Sequence, residues 1–262
     1  MNNFNVTIIQ SDIYWENITA NLAAFEEKIW KIKTPTDLIV LPEMFTTGFT
    51  MNNVDFAESM NMTTFKWMKQ LSNQTGAVIT GSFIIKENQK YFNRLIWMQP
   101  DGKYLFYDKK HLYRNSDEHI YFVAGQEKKI ATWKDWKFCP FICYDLRFPM
   151  WSRNISQNNE PIYDCLIYVA NWPSARHIAW ETLLRARAIE NLSYCVGVNR
   201  IGKDEKGLEY IGGSAMIDYK GNTLFDAKNE NCIQSIILNK DDLSEFRQKF
   251  PFYLDADSDM IQ

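Results

Sequence analysis

Four places with chemistry-bearing residues lie at the end of an apolar, strand-like run or in the loop after one, where a rigid scaffold hands side chains to a loop. Glu43 closes Leu38-Ile39-Val40-Leu41-Pro42. Lys109, followed by Lys110, comes after the run from Tyr104 to Asp108. Cys143 ends the run from Trp136 and leads into Tyr144-Asp145-Leu146-Arg147-Phe148-Pro149. The fourth is the polar segment Asn115-Ser116-Asp117-Glu118-His119, between the lysines and the cysteine. A carboxylate drawn partly out of water becomes a proton carrier near neutrality. A lysine in an enclosed site holds a thiolate as an anion and steadies negative charge developing on a carbonyl oxygen. A cysteine on a strand-to-helix turn projects its thiol while nearby backbone N–H groups face the reacting carbonyl. Taken singly, each also has an ordinary reading: a surface acid, a solvated lysine, an inert core cysteine, a charged loop.

The elements that must position these residues are legible as periodic patterns. Strands are expected over Phe4 to Gln10, Asp37 to Pro42, Ala77 to Ile85, Tyr91 to Met98, Tyr104 to Asp108, Lys128 to Trp133 and Trp136 to Cys143. Further strands follow over Cys165 to Ala170, Ser193 to Arg200, Ser214 to Asp218 and Cys232 to Leu238. Helical periodicity covers Asn17 to Lys31, with Ile18, Leu22, Phe25 and Ile29 on one face, then Thr64 to Asn73, Ile178 to Asn191 and Asp241 to Phe250. A further helix is expected to open near Pro149 and run to Asn154. Early alternation of helix and strand, followed by strand-rich stretches, predicts a mixed sheet with helices on its outer faces. No linker, repeat or low-complexity stretch interrupts the chain, so residues 1–262 read as a single domain.

Composition narrows the function. Hydrophobic residues make up 46% of the 262, enough for a sizeable core, and the net charge is −3 with both signs interspersed. Nucleic-acid binding is disfavoured, because a phosphate-tracking surface needs clustered cations. No apolar run is long enough for a membrane span, and the first residues lack a basic region followed by an apolar one. A cytoplasmic location is therefore expected. The cysteines at 139, 143, 165, 195 and 232 are odd in number and widely spaced, a poor disulfide framework. No paired CxxC, HxxxH, HExxH or glycine-rich phosphate loop is present, so neither a metal nor a nucleotide cofactor is expected. Only His111, His119 and His177 could serve a cysteine–histidine pair, and none carries a familiar flanking signature.

Together, Leu41-Pro42-Glu43-Met44-Phe45, Tyr107-Asp108-Lys109-Lys110-His111-Leu112 and Ile142-Cys143-Tyr144-Asp145-Leu146-Arg147-Phe148-Pro149 resemble the nitrilase superfamily of carbon–nitrogen hydrolases. Ala170-Asn171-Trp172-Pro173 and Arg185-Ala186-Arg187-Ala188-Ile189-Glu190-Asn191 extend the resemblance over nearly the whole chain. The run from Cys143 to Asn154 is most similar to the omega-amidase branch, and to 2-oxoglutaramate amidase-like proteins within it. The resemblance implies a four-layer α-β-β-α sandwich, usually paired into a homodimer. It implies a Glu43–Lys109–Cys143 triad, with the lysine at 109 and not 110, and Glu118 assisting. The implied reaction is hydrolysis of a small amide through a cysteine thioester. Omega-amidase substrates carry a carboxylate away from the amide, for which Arg147 is the first candidate and the loop from Trp172 to Arg176 the second. Phe45, Tyr144 and Trp172 are expected as apolar walls. Hydrolysis of N-carbamoyl compounds or nitriles, or a catalytically silent scaffold role, are the alternatives.

Overall fold

In the computed structural model, residues 3–256 are described and build two six-stranded mixed sheets. The spatial order of the first is Cys232–Asn239, Asn3–Gln10, Leu38–Val40, Val78–Glu87, Lys90–Met98 and Tyr104–Asp108. That of the second is Thr223–Asp226, Ala215–Ile217, Tyr194–Asn199, Cys165–Ala170, Trp136–Ile142 and Ala131–Trp133. Each has a parallel centre: Asn3–Gln10 with Leu38–Val40 and Val78–Glu87 in one, Trp136–Ile142 with Cys165–Ala170 and Tyr194–Asn199 in the other. Parallel strands covered on both faces read as unbroken apolar runs. Leu38–Val40 and Cys165–Ala170 are such runs, buried at every position.

The inner faces share one core. Phe4, Val6, Ile8, Val40, Leu95 and Trp97 meet Phe138, Ile142, Ile167 and Val169 there. The Phe138 ring lies 4.9 Å from that of Phe4 and 5.0 Å from that of Trp97, so the sheets are joined by aromatic contact. On its other face the first sheet packs Ile9, Ile39, Leu41 and Ile79 against Leu22, Phe25 and Ile29 of helix Ile18–Trp30. Phe65, Met68 and Leu71 of helix Thr63–Thr75 complete that layer. Helix His177–Glu190 covers the second sheet at Gly197, where an added Cβ would stand 2.5 Å from the Leu184 side chain and 2.8 Å from Trp180. The architecture is the expected α-β-β-α sandwich.

Two differences from the sequence pattern bear on the site. The strand expected from Lys128 begins only at Ala131, because the preceding residues make no ladder pairing. The turn after Cys143 is first a 3-10 helix, Cys143–Arg147, and only then a short α-helix, Pro149–Ser152. A short helix Glu118–Tyr121 and a hairpin of Ile201–Lys203 with Glu209–Ile211 had no periodic signal, being too short to show one. Among the described residues no helix is long and apolar enough to cross a membrane.

Candidate active site

Strand ends from both sheets converge on one cavity of about 600 Å³. Glu43 follows Leu38–Val40, and its loop is tied to the neighbouring strand: Leu41 N donates to Thr80 O, Met44 N to the Ser82 hydroxyl and Phe45 N to Ser82 O. Lys109 follows Tyr104–Asp108, where Arg94 grips Asp108 through Nε and Nη2 at 2.6 and 2.8 Å. Cys143 follows Trp136–Ile142 in a left-handed conformation (φ 45°) that turns its side chain out of the strand. Such backbone strain persists only where the surroundings over-determine it.

Asp145 supplies much of that constraint. Its fully buried carboxylate accepts from Ile142 N at 3.1 Å, the Tyr107 hydroxyl at 2.8 Å and His111 N at 2.9 Å. His111 Nδ1 lies 2.7 Å from the same group. Tyr107 and His111 flank Lys109, so one carboxylate fixes the cysteine turn against the lysine segment. From the other side, Arg187 Nη2 donates to Leu146 O at 2.6 Å.

The charged groups are enclosed. Glu43, Lys109 and Glu118 are all 0–1% exposed. Lys109 Nζ donates to Glu43 Oε1 at 2.9 Å and to the two Glu118 oxygens at 3.0 and 2.9 Å. Glu118 also accepts from Tyr113 N at 2.6 Å. Burial works to lower the Lys109 pKa, but the Glu118 and Glu43 carboxylates outweigh it and the ammonium is held firmly protonated. Burial pushes the Glu118 carboxyl up, aided by the Glu43 charge and opposed by Lys109. Cys143 is pushed well up, first by burial and then by Glu43, with Lys109 pulling the other way. It therefore rests as a thiol beside the carboxyl–ammonium cluster. Such an arrangement can deprotonate a thiol as it attacks, and can receive negative charge on an oxygen.

Of the expected pocket residues, Tyr144, Arg147, Trp172 and Arg176 line the cavity. Arg147 lies over the Trp172 ring at 4.9 Å and Arg176 over the Tyr113 ring at 5.3 Å. Among the described residues neither guanidinium has a carboxylate partner. Phe45 is a correction. Fully buried, it packs edge-on against Phe25 and Phe83 in the outer core and is not among the cavity-lining residues. Met44 adopts a left-handed conformation (φ 41°), and this turn sends Phe45 away from the side that Glu43 faces.

Several residues were missed. Asn171 donates its backbone N–H to Glu43 Oε2 at 2.8 Å and its side-chain amide to Glu43 O at 2.6 Å. It stands in the quoted Ala-Asn-Trp-Pro motif, at a strand end like the others, which was signal enough. Asn93 donates to Glu43 and Glu118 from within a strand, and its signal was a polar residue inside an apolar run. Tyr210, buried under Arg200 at 4.7 Å and bonded to Asp204 at 3.2 Å, reaches the cavity from the short hairpin and left no local pattern. Among the described residues no cluster of His, Cys, Asp and Glu could hold a metal ion.

The carbon-nitrogen hydrolase family profile matches residues 5–248. The chain is 40% identical to an omega-amidase, YafV, of Yersinia enterocolitica over the full length of both. It is 30% identical to the 2-oxoglutaramate amidase of Bacillus subtilis, covering 98% of this chain and 99% of that one. A CN-hydrolase superfamily protein of Xanthomonas campestris, whose crystal structure holds an arsenic adduct in the active site, superposes with a TM-score of 0.95 at 39% identity over 98% of both chains.

Proposed function

Since this chain belongs to the carbon–nitrogen hydrolase family, we propose that it is an omega-amidase, which hydrolyses the terminal amide of a short 2-oxo acid amide such as 2-oxoglutaramate or 2-oxosuccinamate. The observation that carries the reading is the meeting of three separate strand ends at one place: Lys109 and Cys143 line the cavity, and the Glu43 carboxylate stands just behind them, 2.9 Å from the ammonium. The names of the full-length relatives supply the substrate class.

Glu43 takes the Cys143 proton as sulfur attacks the amide carbon. Lys109 and the Tyr144 backbone N–H receive the oxyanion, an interaction worth roughly 3–4 kcal/mol of barrier per donor. Protonated Glu43 then gives its proton to the departing nitrogen. Ammonia leaves, and the acyl group remains on sulfur as a thioester. Glu43 next takes a proton from water as the water attacks the thioester. The second tetrahedral intermediate collapses to the dicarboxylate, and sulfur regains its proton from Glu43. Glu118 keeps Lys109 oriented through both half-reactions. Arg147 and Arg176, cations without carboxylate partners on an aromatic wall, are available to the distal carboxylate of the substrate. Tyr144 and Trp172 wall the short carbon chain.

The same reading includes a homodimer and a cytoplasmic location. Ile178 and Ile189 are exposed among polar side chains on helix His177–Glu190 and are available for burial against a second copy. All five cysteines are unpaired, which suits a reducing compartment.

Ammonia release across a panel of 2-oxo acid amides, N-carbamoyl compounds, uncharged amides and nitriles tests the reading. The 2-oxo acid amides should give the highest kcat/KM, with a substrate-sized adduct on Cys143 by intact mass spectrometry during turnover. Turnover of carbamoyl compounds alone would replace the substrate class. Full activity in Cys143→Ala would end the mechanism.

A further inference from the structure

Asn93 lies mid-strand in Lys90–Met98 and is fully buried. Its side-chain nitrogen donates to Glu43 Oε1 at 2.8 Å and to Glu118 Oε1 at 3.3 Å. Its backbone oxygen accepts from Lys109 N at 3.0 Å. One residue thus touches three members of the charged cluster, two by side chain and one by main chain.

The consequence lies in how the oxygens of Glu43 are occupied. Oε1 receives two donors, Lys109 Nζ at 2.9 Å and the Asn93 amide. Oε2 receives one, the Asn171 N–H at 2.8 Å. A carboxylate oxygen has two lone-pair sites, so Oε1 is filled and Oε2 keeps one. The Cys143 thiol donates to Asn171 O at 3.9 Å, beside the Asn171 N–H that holds Oε2, and the Glu43 carboxylate is near enough to raise its pKa. We infer that Asn93 is a positioning residue that divides the labour of Glu43: it holds Oε1 as a fixed anion and leaves Oε2 to receive and return the proton. By donating to both glutamates it also separates two anions that share one ammonium. This inference rests on the proposed Glu43–Lys109–Cys143 chemistry.

A neutral aliphatic side chain in the same place would fill the space without directing either oxygen. Lys109 alone would then hold Oε1, and the carboxylate could rotate to offer either oxygen to the thiol. Losing a hydrogen bond to the ionised form also favours protonation. The ionisable groups that face the Asn93 side chain or lie one contact beyond it are Glu43, Glu118, Lys109 and Cys143.

The experiment compares Asn93→Leu and Asn93→Asp with the parent in kcat/KM against pH. Asn93→Leu should lose roughly tenfold to a hundredfold at neutral pH, in kcat more than in KM, and its acid limb should move to higher pH. Asn93→Asp keeps the size but adds a third carboxylate to the cluster, so its acid limb should move further in the same direction. A packing role alone would leave the acid limb of Asn93→Leu in place, and that result overturns the inference. If Asn93→Leu fails to fold, by circular dichroism and thermal melting, the smaller neutral Asn93→Ala takes its place, with the same two outcomes. Cys143→Ala in the same series tests the underlying chemistry separately: its silence beside an unmoved acid limb in the Asn93 variants would discard only the role of Asn93.

Discussion

Glu43 exerts two opposing influences on Cys143. In the proposed mechanism it takes the thiol proton, and its charge is also a principal reason the thiol holds that proton, second to burial. Replacing it by glutamine should separate the two. Removing the anion lowers the Cys143 pKa, because Lys109 remains as the neighbouring cation. Glu43→Gln should therefore be alkylated by iodoacetamide faster than the parent at a fixed neutral pH, by peptide mass spectrometry, while ammonia release falls roughly 10²–10⁴-fold. Slower alkylation would mean that Glu43 does not set the state of the thiol. The two arginines make a second prediction. Whichever of Arg147→Ala and Arg176→Ala removes the carboxylate contact should raise KM for acidic amides roughly tenfold to a hundredfold, with an uncharged amide unaffected. If neither does, the carboxylate is met elsewhere on the wall. At this scale the sequence was readable where a reactive side chain ended an apolar run, as at Glu43, Lys109 and Cys143. It was not readable where backbone conformation decided direction. Phe45 is two residues from Glu43, yet the left-handed turn at Met44 commits it to the core.

Strand ends place the site, and the segments behind them hold it there. Gly125 shows how closely the backbone is packed behind Lys109. Its N–H donates to Lys109 O at 2.9 Å, and an added Cβ would lie 2.1 Å from the Asp108 carbonyl oxygen. Gly125→Ala must push the two segments apart. It should lower stability by about 1–3 kcal/mol in urea unfolding, and folded protein should lose activity as well, because Lys109 moves with its backbone. Retained stability and rate would show that the segment yields freely. Long elements were legible to within a few residues, since their apolar spacing is set by the faces they bury. The hairpin that carries Tyr210 and the short helix that carries Glu118 were not, because three or four residues cannot display a period. Glu118 was reached by family resemblance, not by pattern.

Across the whole molecule, the proposed acid–base residues and the proposed nucleophile belong to different sheets. Glu43, Asn93 and Lys109 come from the first, Cys143 and Asn171 from the second. The shared core, with Phe138 at its centre, keeps the two halves of the chemistry in register, aided by the bonds of Asp145 to Tyr107 and His111 and of Asn171 to Glu43. Phe138→Ala should cost about 3–5 kcal/mol, with activity and far-UV circular dichroism lost at the same denaturant concentration. Activity lost well before secondary structure would show that the sheets part before they unfold. The face-to-face sandwich itself was not derivable from strand count and order; periodicity says that a strand is buried, not against what. The pairing of Asn3–Gln10 with Cys232–Asn239 has one more consequence. Asn3–Gln10 is synthesised long before the strand that covers one of its two edges. Until then, the sheet that carries the proton-handling residues has an open, apolar margin. Nascent chains stalled before residue 232 should be strong clients of chaperones and poor enzymes, however complete their active-site residues.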